Sequence, residues 1–253
     1  MTHGSVAAAR LSLRGTDVPI GIYISSTDPT TTEIAAAAGL DFVMIDGEHG
    51  PLDRHLVLGH VRAAKAAGIV PIARMLEGSD TQIQALLDVG CAGVVVPKVE
   101  TAADATRIVR ASRYAPTGRR GMCPACHDGG YSVNGFRDRM TQRDRETLVI
   151  PIIETRKALD NIAEIAAVDG IDVIHFGPGD LSADMGLDLA IDLPVLRDAW
   201  VTVRDVCHAA GKALLVPDNM GFEGGDLYIW PMELMLLRST LEAMMRDRAA
   251  GAQ

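Results

Sequence analysis

Charged side chains and a histidine stand directly after several short apolar runs of this sequence. Asp46-Gly47-Glu48-His49 ends one run, Arg74 follows another and Lys98 a third, while Glu154 and Asp180 accompany two later ones. If these runs are neighbouring parallel strands, the side chains meet at one end of them. They would then be available for metal binding, proton transfer and the stabilisation of negative charge.

Glu154 and Asp180 are candidate metal ligands. Two carboxylates without a cage of backbone carbonyls suit a hard cation such as Mg²⁺ or Mn²⁺, which keeps positions free for water or substrate. Alternatively, Glu154 caps the helix that follows it and Asp180 caps the turn at Leu181, because a carboxylate at a helix start needs no metal. The sequence leaves both interpretations open.

His49 and Arg74 are candidates for the chemistry itself. His49 lies in a glycine-flanked loop, and a histidine is the usual general base near neutral pH; the alternative is a loop histidine satisfied by its own backbone. Arg74 could bind a carboxylate in a bidentate way or stabilise an oxyanion, or it could form an ion pair with a neighbouring loop. Lys98 could form a Schiff base with a ketone, although an ion pair with Glu100 is the preferred interpretation.

Strands and helices must alternate to bring these residues together. Compact apolar runs without period-2 alternation favour parallel strands covered on both faces, at 20–25, 41–46, 70–73, 92–96, 148–154, 171–176, 213–216 and 226–230. Helices are predicted between them, from Asp28-Pro29 to Gly39 and at 53–67, 80–89, 101–112, 157–167, 192–210 and 233–248. Eight such units in 253 residues predict an α/β fold, the (β/α)8 TIM barrel. A doubly wound open sheet is the rival, and the absence of a G-x-G-x-x-G motif after the first strand argues against its dinucleotide-binding version.

Two segments depart from the regular alternation. The stretch 113–147 is long, rich in arginine and glycine and poorly periodic, which predicts a large loop. Residues 217–225 leave no room for a full helix between the last two strands, so the barrel is incomplete there or the last strand is misplaced. We find no linker and no internal repeat, and we predict a single domain over residues 1–253.

Composition excludes several classes of function. The net charge is −9 and no Lys/Arg run is present, which argues against nucleic acid as the main partner. No apolar stretch approaches the ~20 residues of a membrane span, and Met1–Gly15 lacks the apolar core of a signal peptide. The four cysteines are too few for a disulfide framework, and we predict a cytoplasmic protein. Cys123-x-x-Cys126-His127 looks like half of a zinc site, but without a second pair a loop of free thiols is preferred.

Several motifs together resemble the HpcH/HpaI aldolase/citrate lyase family, the metal-dependent (class II) pyruvate aldolases such as 4-hydroxy-2-oxo-heptane-1,7-dioate aldolase. They are IDGEHGP (45–51), PIAR (71–74), QIQALLDVG (82–90), VVVPKVET (94–101), RYAPTGRRG (113–121), IPIIET (150–155) and HFGPGDLSADMG (175–186). The resemblance implies a TIM barrel of the phosphoenolpyruvate/pyruvate-domain type and the reversible cleavage of 4-hydroxy-2-oxo acids to pyruvate and an aldehyde. It also implies a hexamer in which the last helix is exchanged between barrels.

The resemblance also implies roles for individual residues. His49 is similar to the family's general base, Asp88 to the acid that orients this histidine, within one chain or across a subunit contact, and Arg74 to the group that stabilises the transition state. Glu154 and Asp180 resemble the two ligands of a divalent metal, Mg²⁺, Mn²⁺ or Co²⁺. Gly179 and Asp180 would offer backbone amides to the pyruvate carboxylate.

Departures from the family pattern leave the substrate open. Ile152 stands where many members have a glutamine that contacts substrate, and the C-terminal third of the chain matches poorly, which predicts an atypical C-terminal segment. One alternative is the citrate-forming or acyl-CoA chemistry of the superfamily, in which Arg113, Arg119 and Arg120 would bind coenzyme A. Another is a relative that binds keto acids without catalysis.

Overall fold

The computed structural model describes residues 10–12, 15, 18–51 and 53–251. The predicted absence of a signal peptide concerns Met1–Gly15, most of which lies outside these residues. Among the helices within the described ranges, none is both long enough and apolar enough to cross a membrane.

Eight parallel strands form a closed barrel in the order of the sequence, because β1 pairs with both β2 and β8. The strands are β1 Ile20–Ile24, β2 Phe42–Asp46, β3 Val70–Arg74, β4 Gly93–Val96, β5 Leu148–Ile153, β6 Val173–Phe176, β7 Ala213–Pro217 and β8 Leu227–Trp230. The predicted TIM barrel is therefore confirmed. The expectation of an incomplete barrel or a misplaced last strand is wrong, since Leu215 and Leu227 are partners in the β7–β8 ladder.

Two apolar layers lie on the two faces of this barrel. Within β2, Phe42 and Met44 point into the barrel, whereas Val43 and Ile45 pack outward against the helices. Both faces of the strand are buried, which explains why the sequence shows no alternation. Gly21 makes room for the Phe42 ring, because a Cβ atom at position 21 would lie 2.3 Å from that ring.

Ten α-helices are found within the described residues. They are α1 Thr30–Ala37, α2 Arg54–Ala67, α3 Asp80–Asp88, α4 Ala102–Ser112, α5 Phe136–Glu146, α6 Arg156–Asp160, α7 Ile162–Ala166, α8 Pro178–Met185, α9 Leu193–Ala209 and α10 Glu233–Gly251. Several begin at a side chain that accepts a free backbone N–H: Asp53 accepts from His55 and Leu56, and Ser79 accepts from Gln82. These caps end the loops that follow the strands, and the strand ends are thereby held in place.

Three helical predictions are corrected. The predicted loop 113–147 contains α5, which has no buried residue and therefore no apolar periodicity to reveal it. The predicted helix 157–167 is two short helices that meet at Asn161, whose amide donates to the Glu100 carbonyl. Helix α8 was not predicted, because Gly177-Pro178-Gly179 has the composition of a turn, although Pro178 also suits the first helical position.

The C-terminal segment is atypical, as predicted. Only a 3-10 turn, Asp218–Met220, connects β7 to β8. Helix α10 is joined to the top of β1 through Glu233, whose carboxylate accepts the N–H groups of Ser25 at 2.9 Å and Ser26 at 2.6 Å. Apolar side chains remain exposed along α10, namely Leu234, Met235, Leu237, Leu241, Met244 and Met245.

Candidate active site

A cavity of about 480 Å³ opens at the carboxyl ends of the strands. This is the end of a TIM barrel where loops from all eight strands converge. Of the predicted site residues it brings together His49, Arg74, Glu154, Gly179 and Asp180. The cavity is also lined by Tyr23, Ile152, His175, Phe176, Gly177, Pro178, Leu189, Pro217, Asn219, Met220, Ile229, Trp230, Pro231, Met232 and Met235.

Arg74 is fixed by a buried carboxylate on the neighbouring strand. Asp46 and Arg74 are partners in the β2–β3 register. Arg74 Nε donates to Asp46 Oδ1 at 2.9 Å and Nη2 donates to Oδ2 at 2.7 Å. Asp46 is fully buried and also accepts the N–H of Glu48 at 3.0 Å. The alternative expected for Arg74, an ion pair with a neighbouring loop, exists with Glu48 at 3.2 Å, and the pair with Asp46 on the adjacent strand aims the guanidinium at the cavity.

A tyrosine and a histidine pack beneath the guanidinium. The Arg74 Cζ atom lies 4.9 Å from the centre of the Tyr23 ring. Tyr23 Oη lies 2.7 Å from His175 Nε2, and His175 Nδ1 lies 3.0 Å from the Leu215 carbonyl. Since a carbonyl only accepts, Nδ1 carries the proton and Nε2 accepts the tyrosine hydroxyl. Burial, with Arg74 nearby, lowers the pKa of His175 to about 4, so this histidine is neutral near pH 7.

Glu154 is a buried carboxylate at the end of β5. It accepts the backbone N–H of Lys98 at 2.7 Å, and Lys98 has φ of 52°, an uncommon conformation for a lysine. The capping alternative for Glu154 is wrong, because Thr155 caps α6 instead, accepting from Ala158. Burial, together with the charges of Glu48 and Asp180, raises the pKa of Glu154 to about 7.

Glu154 and Asp180 line the cavity and Glu48 lies beside Arg74, so three carboxylates depend on the positive charge of one arginine. Asp180 raises the pKa of both Glu48 and Glu154, although burial is the larger cause at each. Arg74 Nη1 lies 3.2 Å from Glu48 Oε2, yet that buried oxygen has no hydrogen-bond partner, and Arg74 already neutralises Asp46. An excess of negative charge around an open cavity fits a divalent cation.

The donor set agrees with a metal held mainly by substrate and water. Within the described part of the chain, no group of three or more His, Cys, Asp or Glu side chains is arranged around one ion. Glu154 and Asp180 are both carboxylates that line the cavity, and two protein oxygens leave positions for other ligands. The capping alternative for Asp180 has no support either, since no side chain caps the start of α8.

His49 lies at the rim of the cavity. Its side chain is 54% exposed, and its Nε2 atom lies 3.9 Å from Glu48 Oε2. Its backbone N–H contacts Asp46 Oδ1 at 3.4 Å, so the Asp46–Arg74 pair also positions this loop. A half-exposed imidazole beside a carboxylate can exchange protons with both solvent and substrate.

Gly179 and Asp180 belong to the first turn of α8. The N–H groups of a first helical turn have no partner within the helix, and the helix dipole favours an anion there. Space around Gly179 is open, because a Cβ atom at this position would meet no atom within 4 Å. The backbone can therefore approach a carboxylate closely.

Asp88 does not meet His49 within one chain. It is buried at the end of α3, where Arg120 Nη2 donates to its carboxylate at 2.8 Å. Arg120 also donates to Asp128 at 2.8 Å, and Arg143 pairs with Asp128 at 2.6 Å. Asp88 is thus part of a separate buried ion network, and the role that the resemblance implies for it stays a prediction.

The other basic candidates lie away from the cavity. Lys98 has an exposed side chain and is not among the lining residues, and Glu100, its expected partner, pairs with Lys157 instead at 3.0 Å. Arg113 pairs with Asp172. Arg119 pairs with Asp80 and Arg120 pairs with Asp88, both outside the cavity, so these expected coenzyme A contacts are also occupied. Neither a Schiff base nor a coenzyme A site gains support.

The cysteine motif does not belong to any group of three or more possible ligand side chains within the described part of the chain. Cys123, Cys126 and the two other cysteines are free thiols, and Cys126 Sγ donates to the Cys123 carbonyl at 3.0 Å. The His127 ring lies against Lys65, with Nε2 and Nζ 2.8 Å apart. The prediction of a loop of free thiols is consistent with these contacts.

The sequence analysis did not select Tyr23 or His175 as members of the site. Both lie within strands, where an apolar run normally buries them as packing residues. The signal that could have found them is their position near the carboxyl ends of β1 and β6, on the inward-facing side.

Comparisons with known proteins agree with the motifs. Residues 19–219 match the family described as HpcH/HpaI aldolase/citrate lyase. The chain is similar to the hydroxypyruvate/pyruvate aldolase of Pseudomonas aeruginosa, with 37% identity over 204 residues, 79% of this chain and 75% of that protein. It is also similar to the 2-keto-3-deoxy-L-rhamnonate aldolase of Escherichia coli K12, with 36% identity over 208 residues and the same two shares.

Solved structures agree on the fold. The crystal structure of the citrate synthase SbnG matches with a TM-score of 0.82 and 30% identity, over 94% of this chain and 96% of that one. An HpcH/HpaI aldolase from Desulfitobacterium hafniense DCB-2 matches with a TM-score of 0.85 and 26% identity, over 91% and 92%. CitE from Mycobacterium tuberculosis, solved with magnesium and pyruvate, shares the fold at a TM-score of 0.57 and 20% identity, over 85% and 86%. The chain therefore belongs to the HpcH/HpaI aldolase/citrate lyase family of carbon–carbon lyases.

Proposed function

We propose that this protein is a divalent-metal-dependent class II pyruvate aldolase, which reversibly cleaves 4-hydroxy-2-oxo acids to pyruvate and an aldehyde. The observation that carries the proposal is the pair of carboxylates Glu154 and Asp180, which line an open cavity together with Arg74, while Glu48 lies beside that arginine. The aldolase names of two relatives support it.

Glu154 and Asp180 would hold the cation, and Mg²⁺, Mn²⁺ and Co²⁺ all accept carboxylate oxygens. When bound, the ion supplies Lewis-acid polarisation of the 2-oxo group of the substrate. The CitE structure with magnesium and pyruvate is a precedent for both ligands on this fold.

Two groups of the chain bind and stabilise the keto acid. The free N–H groups of Gly179 and Asp180, at the start of α8, would receive its carboxylate. Arg74 would donate to the C2 oxygen, where negative charge develops as the enolate forms. Asp46 and Tyr23 hold the guanidinium in place, so little reorganisation is needed at that moment.

His49 would move the proton. In cleavage it takes the proton of the C4 hydroxyl, directly or through a water, and the C4–O bond becomes the carbonyl of the aldehyde. The C3–C4 bond breaks, and its electron pair forms the C2–C3 double bond of the enolate. The enolate then takes a proton at C3 and leaves as pyruvate, and condensation follows the same steps in reverse.

We also propose that residues 1–253 form one domain and that the chain assembles as a hexamer. The exposed apolar side chains of α10, such as Leu237, Leu241 and Met245, are the supporting observation. In such an assembly Asp88 of one subunit could approach His49 of another. Light scattering coupled to size-exclusion chromatography tests the assembly.

Exchange of the C3 hydrogens of pyruvate in D2O, followed by proton NMR, tests the enolate chemistry without choosing an aldehyde. We expect exchange with Mg²⁺, Mn²⁺ or Co²⁺, its loss in EDTA and its return when the metal is restored. Glu154→Gln should abolish exchange, whereas Glu100→Gln, a carboxylate outside the cavity, should retain it. Exchange that persists in EDTA, or a borohydride-trapped adduct on Lys98, would contradict the proposal.

One alternative activity remains worth a direct assay. The citrate synthase SbnG shares this fold at 30% identity. Oxaloacetate and acetyl-CoA should give no citrate here, because Arg113, Arg119 and Arg120 are paired with acids away from the cavity. If pyruvate binds with metal but neither exchanges nor condenses, the non-catalytic alternative is favoured.

A further inference from the structure

One wall of the cavity is built almost entirely from carbon and sulfur. It is formed by the segments at the ends of β7 and β8 and by the start of α10. Among the described residues of these segments that line the cavity, Asn219 is the one polar side chain. The others are Pro217, Met220, Ile229, Trp230, Pro231, Met232 and Met235.

Apart from the Asn219 amide, the polar side-chain atoms of Trp230 and His175 next to this wall already have hydrogen-bond partners. The Trp230 indole N–H donates to Asp218 at 2.9 Å, so the ring has no donor left for a ligand. Both ring nitrogens of His175 are occupied, by Tyr23 and by the Leu215 carbonyl. Ile152 adds a buried apolar side chain to the floor, at the position where the resemblance leads one to expect a glutamine.

The wall stands where a second substrate must enter. In a closed eight-stranded barrel β7 lies across from β3, so the wall faces Arg74 over the mouth. If the keto acid binds between Arg74 and the amides of Gly179 and Asp180, its reactive C3 atom is directed into the remaining space. A cavity of about 480 Å³ is far larger than pyruvate alone requires.

We propose that the aldehyde partner of this enzyme carries an apolar side chain, branched aliphatic or aromatic, rather than a hydroxylated one, and that Met232 and Trp230 determine this preference. The inference rests on the proposed aldolase function. A hydroxyl group placed against the Met232 side chain or the face of the Trp230 ring would lose its hydrogen bonds to water without gaining a partner. Each buried methylene should instead gain about fourfold in binding, and methionine side chains adapt to branched or flat groups.

A matched pair of aldehydes tests the proposal. 3-Methylbutanal and glyceraldehyde have the same number of non-hydrogen atoms, and their kcat/KM values with pyruvate and Mn²⁺ give a selectivity ratio within one enzyme preparation. We expect this ratio to favour 3-methylbutanal by more than tenfold, with benzaldehyde also accepted. In Met232→Gln the ratio should fall about tenfold, whereas Met140→Gln, the same exchange on α5 outside the cavity, should keep it.

The outcomes separate the two proposals. If pyruvate shows no C3 hydrogen exchange, the aldolase function itself fails. If exchange occurs but glyceraldehyde is used as well as 3-methylbutanal, or the ratio is unchanged in Met232→Gln and in Trp230→Gln, the apolar wall does not select the aldehyde and the inference is overturned. A ratio that responds equally to Met140→Gln also overturns it.

Discussion

Replacing Asp46 by asparagine tests how the active-site arginine is held. The substitution preserves the shape of the side chain but removes its charge, and it turns one of the two acceptors of Arg74 into an N–H donor. That donor would face a guanidinium N–H that is now bonded at 2.7 or 2.9 Å. Arg74 then loses one charge-assisted hydrogen bond, and its buried positive charge is no longer neutralised by the negative charge at position 46.

The expected cost follows from burial. Asp46 has no exposed surface and Arg74 is only 8% exposed, so solvent cannot replace the lost interaction. Breaking a buried ion pair by removing one partner costs about 3–5 kcal/mol, and because asparagine retains one acceptor we expect about 3 kcal/mol. The guanidinium can still reach Glu48 Oε2, 3.2 Å from Nη1, and it would turn toward that oxygen and away from the substrate. The rate of pyruvate C3 exchange should then fall by about 10²-fold, the lower end of the loss from removing one oxyanion donor.

Urea denaturation in EDTA measures the stability change, and deuterium exchange measures the chemistry. Asp53→Asn is the matched control, because Asp53 is an exposed carboxylate that accepts two backbone N–H groups at the start of α2, and asparagine caps helices as well as aspartate. It should change stability by less than about 0.5 kcal/mol. Asp46→Asn behaving like Asp53→Asn in both assays would refute the argument.

Two further predictions concern buried groups around the site. The pKa of His175 falls from its usual value near 6.5 to about 4, so its contribution to stability is fully present above pH 6.5 and is lost as the pH falls toward 4. Between pH 7.5 and pH 4 the wild type should therefore lose up to about 3 kcal/mol more stability than His175→Gln. Glu154 titrates with the opposite effect in both proteins, so its contribution cancels when the two are compared. Equal slopes with pH in urea denaturation would contradict this, and the exposed His55→Gln serves as control. Asp128→Asn should destabilise the protein by about 3 kcal/mol, since Asp128 is buried between Arg120 and Arg143, whereas the exposed Asp138→Asn on α5 should be neutral in the same denaturation experiment.

The barrel could be predicted from the sequence because the buried strands coincide with apolar segments throughout it. Each strand is covered on both faces, so it reads as an unbroken apolar run, and the glycines after several helices mark their ends. Helix α5 escaped because it packs no apolar face and is stabilised by pairs such as Arg143 and Glu146. Helix α8 was not predicted because its first residues have the composition of a turn. They form both the sharp turn after β6 and the first turn of the helix.

From the sequence, only those site residues that lie next to the carboxyl ends of predicted strands could be selected. His49, Arg74, Glu154 and Asp180 each lie at the last residue of a strand or shortly after it, and the barrel brings each of them to one cavity. Asp46, Tyr23 and His175 act through contacts between strands, and these depend on the register, which the sequence does not specify. The apolar wall was likewise not predictable, because it is formed by the segments that follow β7 and β8, whose path the sequence did not reveal.

The charges around Arg74 explain why we expect a cation at the active-site cavity and not in the buried network of Asp88 and Asp128. The buried network of Asp88 and Asp128 is balanced by Arg120 and Arg143, so it needs no further charge. At the cavity one arginine faces Asp46 and Glu48 in direct ion pairs, while Glu154 receives only a backbone N–H. Leaving carboxylates so weakly paired lowers the stability of the metal-free chain, and a bound cation removes that cost. The same imbalance should therefore make the protein more resistant to unfolding in the presence of Mn²⁺, and Glu154→Gln should lose that gain.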